Sequence, residues 1–209
     1  MKIIECEQGS PEWHQARLGR LTGSVVSDAF ATIKSGWGAG RKNLRVRLVL
    51  ERLTGKSQES GFSSFDMERG TLLEPEARSA YEVETGLLVQ QVGFVAHDEL
   101  MAGCSPDGLT NDGLVDFKCP KAATHLDYLR GGLPNDYRLQ LIHGLWLTGK
   151  QWAEMVSFHP DFPDPIRLHV ARIYAKDIDL HAHELNVRLF LSEVDKELVE
   201  VQALMGAAV

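Results

Sequence analysis

Gly113-Leu114-Val115-Asp116-Phe117-Lys118-Cys119-Pro120, preceded by Ser105-Pro106-Asp107-Gly108, is the stretch on which the fold turns. Residues two apart on a strand point to one face, so Asp116 and Lys118 share a face while Val115 and Phe117 take the other. Asp116 stands among Leu114, Val115, Phe117 and Cys119, a setting in which an idle charge is costly. Each piece has an ordinary alternative. Pro-Asp-Gly is a common turn, and Asp-x-Lys is often a solvated edge pair. Together they put two carboxylates and an ammonium on one short segment. Hard carboxylate oxygens can hold one or two Mg²⁺ ions, which polarise a phosphoryl oxygen and lower the pKa of an attacking water. The lysine can position or deprotonate that water. Metal-assisted phosphodiester hydrolysis is the chemistry this pattern suits.

A third carboxylate lies upstream. Gly70-Thr71-Leu72-Leu73-Glu74-Pro75-Glu76-Ala77-Arg78 opens a run whose apolar positions Leu73, Ala77, Ala80 and Tyr81 recur at helical spacing, with Gly86 as the residue just past its end. Glu74 lies beside the inward row of that helix. Alone it reads as a solvated glutamate near a helix start; beside the aspartates it reads as a third metal ligand.

The order helix Glu74, then Ser105-Pro106-Asp107-Gly108-Leu109, then Asp116-Phe117-Lys118-Cys119-Pro120 resembles the phage-type alkaline exonucleases. These form the lambda exonuclease or YqaJ-like recombinase branch of the PD-(D/E)xK nuclease superfamily. Glu12-Trp13-His14-Gln15-Ala16-Arg17-Leu18-Gly19 with Leu21-Thr22-Gly23-Ser24, and Tyr137-Arg138-Leu139-Gln140 with Trp146, are similar to further family segments, so the likeness spans roughly residues 7 to 175. The resemblance implies that Glu74, Asp107 and Asp116 are metal ligands, joined by the Phe117 carbonyl, and that Lys118 is the catalytic lysine. It implies Mg²⁺ as cofactor, with Mn²⁺ as a substitute. It also implies a grip on a terminal 5′-phosphate by Arg17, Ser24, Ser105 and Gln140, groups that suit a phosphate because guanidinium forks onto its oxygens. Without the resemblance, Ser24 reads as a helix N-cap, Arg17 as a surface residue and Gln140 as a helix-face residue. The family's apolar wedge falls near Met67, and its groove-reaching basic residue near Lys34. Asp116 departs from the best-known phage enzyme, which has Glu there, and is one methylene shorter.

The 209 residues, 44% of them hydrophobic, can bury one good core, and a single nuclease domain over 1–209 with a long C-terminal helix is expected. The expected class is mixed α/β (α+β), a PD-(D/E)xK core with a central mixed sheet flanked by helices. No stretch reaches eighteen apolar residues and the acidic start makes a poor signal peptide, so the expectation is a cytoplasmic protein of a bacterial host, of phage or prophage origin. Cys6, Cys104 and Cys119 lack CxxC spacing, which argues against disulfides, zinc or an iron–sulfur cluster; Cys104 and Cys119 read as small core residues.

Net charge is −7, awkward for a protein that binds DNA. Residues 1–60 hold 10 Lys/Arg against 6 Asp/Glu, a balance of +4, and the remainder carries −11. Seven basic residues between Lys34 and Lys56, against Glu51 alone, read as a basic loop and helix that contact phosphate, or else as a solvated helix face.

Helices are expected from Ser10, from Ser24, over 41–54, 68–85, 122–130 and 135–148, and over 176–204. Strands are expected over 87–96, 101–104, 114–118, 152–158 and 167–173. Leu185, Leu189, Val194 and Leu198 mark the terminal helix as amphipathic, packed on the core or on another subunit. His183-Glu184-Leu185-Asn186-Val187 lacks the second histidine of a zinc protease helix, so His181 and His183 read as surface residues. No phosphate loop for ATP is present.

The function expected is a Mg²⁺-dependent exonuclease acting on linear double-stranded DNA. It would degrade one strand 5′ to 3′, release 5′ mononucleotides and leave a 3′ overhang for recombination by single-strand annealing. The family implies a homotrimer ring, a single-strand annealing protein as partner and no membrane. The alternatives are an endonuclease or repair nuclease of the same fold, or a catalytically idle module that binds DNA ends.

Overall fold

A computed structural model describes residues 1–34, 36–58 and 65–207. The chain runs β1 (Lys2–Ile4), α1 (Pro11–Arg17), β2 (Leu21–Thr22), α2 (Val26–Ala29), β3 (Thr32–Ile33), β4 (Gly36–Trp37), α3 (Ala39–Thr54), α4 (Phe65–Thr85). It continues β5 (Phe94–Ala96), β6 (Ala102–Cys104), β7 (Gly108–Leu109), β8 (Gly113–Lys118), α5 (Ala122–Gly131), α6 (Asn135–Thr148). It ends β9 (Trp152–Phe158), α7 (Asp164–Arg167), β10 (Leu168–Tyr174), α8 (Leu180–Ala207).

The mixed α/β class holds, but in place of one central sheet the described strands form two mixed four-stranded sheets and a small β3–β4 pair. In the first, β1-β5-β6-β2, only β6 and β2 run parallel; in the second, β10-β9-β8-β7, only β8 and β9 do. Residues 87–96, expected as one strand, serve both sheets. Gln90 makes a lone bridge to Leu109 at the second sheet, and Phe94–Ala96 pair in the first. Gly93 marks the crossing: a Cβ there would lie 2.4 Å from the Cys6 carbonyl oxygen and 2.6 Å from that of Ile4, so only glycine lets the segment press against the chain leaving β1.

Strand β8 is buried along almost its whole length, as befits a strand covered on both faces. Val115 and Phe117 face α4, packing with Ala77 and Tyr81, whose ring meets Phe117 edge to face at 5.8 Å. Leu114 faces α6, packing with Leu141, Leu145 and Met155. Burying each such side chain stabilises the fold by about 1.5–3 kcal/mol. Helix α6 lies between the sheets, for Leu147 also meets Val95 and Cys104 of the first. Cys104 and Cys119 are both buried, as expected of core residues.

Two helix readings change. Of the expected apolar row, Val194 is buried and Leu198 packs against the core beside Val187, Phe190 and Leu191, while Leu185 and Leu189 are exposed. His183 is buried, its Nε2 3.1 Å from Nδ1 of the buried His143, whereas His181 is exposed. The basic run also changes meaning. Arg41, Arg45 and Arg52 of α3 turn onto Glu193, Glu197 and Asp195 of α8, so three of the five basic residues of α3 are paired across to α8. Lys34, Lys42 and Lys56 remain exposed. Among the described residues, no helix is long and apolar enough to cross a membrane.

Candidate active site

The β7–β8 hairpin sets the centre. Its register pairs Gly108 with Val115, which brings Asp107, just ahead of β7, beside the far end of β8. Gly108 has no room for a side chain: a Cβ would lie 2.0 Å from Val89 Cγ1. Asp107 Oδ2 accepts the Phe117 N–H at 2.6 Å, so Phe117 enters the site through its backbone while its ring turns to Tyr81. Asp116 is buried, and its Oδ1 accepts from Gln140 Nε2 of α6 at 3.0 Å. Lys118 Nζ is 2.5 Å from Asp116 Oδ2 and 5.0 Å from the centre of the Tyr137 ring. The shared face expected of Asp116 and Lys118 is thus seen directly.

Glu74 lies on α4, near enough for its charge to act on Asp107 and Cys119. Its Oε1 accepts from Arg78 one turn on, at 2.8 Å. Burial, then repulsion from Asp116, pushes the Asp107 carboxyl well above the usual carboxylate range, against the pull of Lys118; Glu74 pushes the same way. Burial alone would lower the Lys118 ammonium, but Asp116 and Asp107 hold it above the ordinary lysine value. Asp116 Oδ2, although close to that ammonium, has no hydrogen bond of good geometry.

These groups suit a hard divalent cation. Asp107 and Asp116 are buried where their mutual repulsion is poorly screened, the charge of Glu74 adds to it at Asp107, and one buried oxygen of Asp116 lacks a directed donor. With Lys118 on Asp116 and Arg78 on Glu74, the described His, Cys, Asp and Glu side chains do not converge in threes on one point.

A second cluster adjoins the first. Parallel pairing of β2 with β6 sends both strands out at the same end, so Ser24, two residues past Thr22, and Ser105, just past Cys104, emerge together. With Arg17, Gln140 and Asp116 they line a cavity of about 40 Å³. Ser24 is in a 3-10 turn and makes no N-cap; its hydroxyl accepts from Arg17 at 3.3 Å. The carboxylate centre and this cavity share Asp116, and Gln140 touches both. Trp13, given no role in the sequence reading, organises the cavity: its indole N–H donates to Ser105 Oγ at 2.8 Å and its ring lies 4.1 Å from the Arg17 guanidinium carbon. The spacing Trp13-x-x-x-Arg17 on a helix was the signal for that stack.

Lys34 sits exposed at the turn between β3 and β4 and does not line the cavity. Met67 is on α4, but its side chain lies outside the described residues.

Comparison with known proteins bears on this arrangement. The model of the YqaJ-like viral recombinase domain matches residues 12–151, a span holding every residue named above for the two clusters. An alkaline exonuclease (LHK-Exo) from Laribacter hongkongensis is 34% identical, with a TM-score of 0.85 over 96% of this chain and 100% of that one. The same exonuclease solved in complex with dAMP is 35% identical, with a TM-score of 0.86 over the same shares. A phage related exonuclease from Haemophilus somnus 129PT shares the fold at 14% identity, with a TM-score of 0.68 over 89% of this chain and 96% of that one. Among curated proteins, none matches.

Proposed function

We propose the function of this chain from one premise, that it belongs to the YqaJ-like viral recombinase family, and from one observation, that its carboxylate–lysine centre opens into a cavity suited to a phosphate. The reading is a Mg²⁺-dependent exonuclease that degrades one strand of linear duplex DNA from a 5′-phosphorylated end. Glu74, Asp107 and Asp116, with the Phe117 carbonyl, would hold the ion, which supplies Lewis acidity toward the scissile phosphate and a more acidic water. Arg17, Ser24, Ser105 and Gln140 bind the terminal phosphate through charge-assisted hydrogen bonds. Gln140, bonded to Asp116, fixes the distance from the gripped end to the centre. Lys118 orients the attacking water and takes part in moving its proton.

Support comes from the geometry and from the exonuclease relatives of 34–35% identity. The shared Asp116 is what favours cutting at an end over cutting internally. Release of 5′ mononucleotides, a 3′ overhang, a homotrimeric ring and a single-strand annealing partner belong to the same proposal, and rest on the family.

The test uses Mg²⁺ and three matched DNAs: linear duplex with 5′-phosphate, linear duplex with 5′-hydroxyl, and closed circle. Rapid loss of the 5′-phosphorylated strand alone is expected. Cutting of the circle would point to an endonuclease, and no cleavage with any divalent ion would point to an idle end-binding module.

A further inference from the structure

Arg69, on α4 five residues ahead of Glu74, is used by none of the chemistry above, yet it joins three segments of the site. One of its terminal nitrogens, Nη1, donates to the Cys119 carbonyl at 3.1 Å and to the Pro120 carbonyl at 3.0 Å, the first two residues beyond Lys118. The other, Nη2, lies 3.3 Å from His159 Nε2, just past the end of β9. A guanidinium only donates, so His159 Nε2 is the accepting nitrogen. Burial, and then the charge of Arg69, keep His159 below its ordinary value and so neutral and able to accept.

We infer that Arg69 is a positioning residue, a strut that sets the gap between the helix carrying Glu74 and the strand carrying Asp116 and Lys118. The argument is geometric. Glu74 comes from α4, which packs on the Val115–Phe117 face of β8, Asp116 lies on the other face of that strand, and the proposed function has both hold one ion. At 1.5 Å of rise per residue, Arg69 grips the strand exit within about 8 Å along the helix from Glu74. A rigid fork reaching two carbonyls and a ring nitrogen fixes both separation and twist. Lysine, a point charge on a flexible stem, cannot hold all three. The nearby Lys121–Asp66 pair spans the same seam but is exposed on both sides, so it adds little constraint.

This inference rests on the nuclease reading of the site. Its test compares the parent with Arg69→Lys and, separately, His159→Leu, which removes only the acceptor. Mn²⁺ and Mg²⁺ binding would be measured by calorimetry without DNA, alongside single-turnover cleavage and the preference for 5′-phosphate over 5′-hydroxyl ends. For Arg69→Lys the expected result is about a 10-fold loss in ion affinity and a similar loss in rate, the usual scale for a group that orients metal ligands. His159→Leu should move both in the same direction by less. The end preference should stay, because Arg69 does not touch the cavity of Arg17 and Ser24. Arg69→Lys and His159→Leu proteins that bind the ion and cleave like the parent would overturn the strut. So would a loss of thermal stability and end preference with unchanged ion affinity. A parent that neither binds the ion nor cleaves would instead remove the nuclease reading, and this inference with it.

Discussion

Lys118 sits 2.5 Å from Asp116 Oδ2 inside the fold, and that contact decides what its removal does. Lys118→Ala should lose about 10²- to 10⁴-fold in single-turnover cleavage, the scale of a positioned acid–base group, while DNA and ion binding persist. Asp107→Ala should behave differently, losing ion affinity along with rate, because the proposed function makes Asp107 a ligand of the ion. Single-turnover cleavage with Mg²⁺ titration separates the two; near-normal cleavage by Lys118→Ala would sink the mechanism. Arg17 makes a third case. Its guanidinium lies over Trp13 and donates to Ser24, so it is held in place before any phosphate arrives. Arg17→Ala should cost about 1.5–3 kcal/mol on 5′-phosphorylated ends, the worth of a hydrogen bond to a charged group, and little on 5′-hydroxyl ends. An unchanged ratio between the two substrates takes Arg17 out of the pocket. Lys118, Asp116 and Asp107 were legible in the sequence, because Asp-x-Lys in an apolar run and Ser-Pro-Asp-Gly are local patterns, whereas Arg17 and Ser24 were reached only through the family resemblance. Trp13 was not given a role, since its partner Ser105 is 92 positions away and only the β2–β6 pairing brings them together.

At the scale of elements, the seam between α3 and α8 was illegible for the same reason. The basic residues of α3 read as a phosphate-binding patch or a solvated helix face because nothing local says that the acids of α8 will face them. Arg41 is 1% exposed, bonded to Glu193, to the Ala29 carbonyl and against the Trp37 ring at 3.8 Å. Removing one partner of a buried pair strands the other charge, so Glu193→Ala should destabilise the protein by about 3–5 kcal/mol, read as a lower urea midpoint. A loss below 1 kcal/mol would mean that Arg41 finds water in the folded chain. His183 was misread on α8 because its burial depends on His143 of α6, a contact across 40 positions. Burial pushes His143 down to about 3, with His183 adding to it, and burial takes His183 to about 4. The unfolded chain takes up these protons below about pH 6.5 while the folded chain refuses them. Stability should therefore fall as pH drops from about 6.5 toward 4, on the order of 1 kcal/mol per unit for each histidine. His143→Gln should flatten that slope in urea unfolding at pH 7, 6 and 5; an identical slope would assign the acid sensitivity elsewhere. The strand pattern was read well at β8 and β9, which are buried almost end to end, and badly over 87–96, where one stretch serves two sheets.

For the whole molecule, charge and assembly bear on one another. The chain carries −7, and three arginines of its most basic helix are spent on α8. With those arginines paired and the net charge negative, one chain should bind internal DNA weakly and with shallow salt dependence, at about −0.9 in the log–log slope per phosphate contacted. Arg45→Gln should leave that slope unchanged, whereas Lys34→Ala, at an exposed turn, should reduce it by about 0.9 if that lysine meets phosphate. A weak electrostatic grip also means that a lone chain would leave the DNA after each cut. Long runs of digestion then require enclosure, which a closed ring of identical chains supplies without strong contacts, because the strand cannot slip sideways out of a ring. The exposed Leu185 and Leu189 of α8 are apolar side chains available to such an assembly. The expected outcome is a trimer in light scattering whose digestion, once begun, continues through a chase with excess unlabelled DNA at salt concentrations that abolish binding to closed circles. A stable monomer that digests distributively, releasing its substrate after each nucleotide, would contradict the ring and would return the burden of processivity to contacts that this charge distribution does not provide.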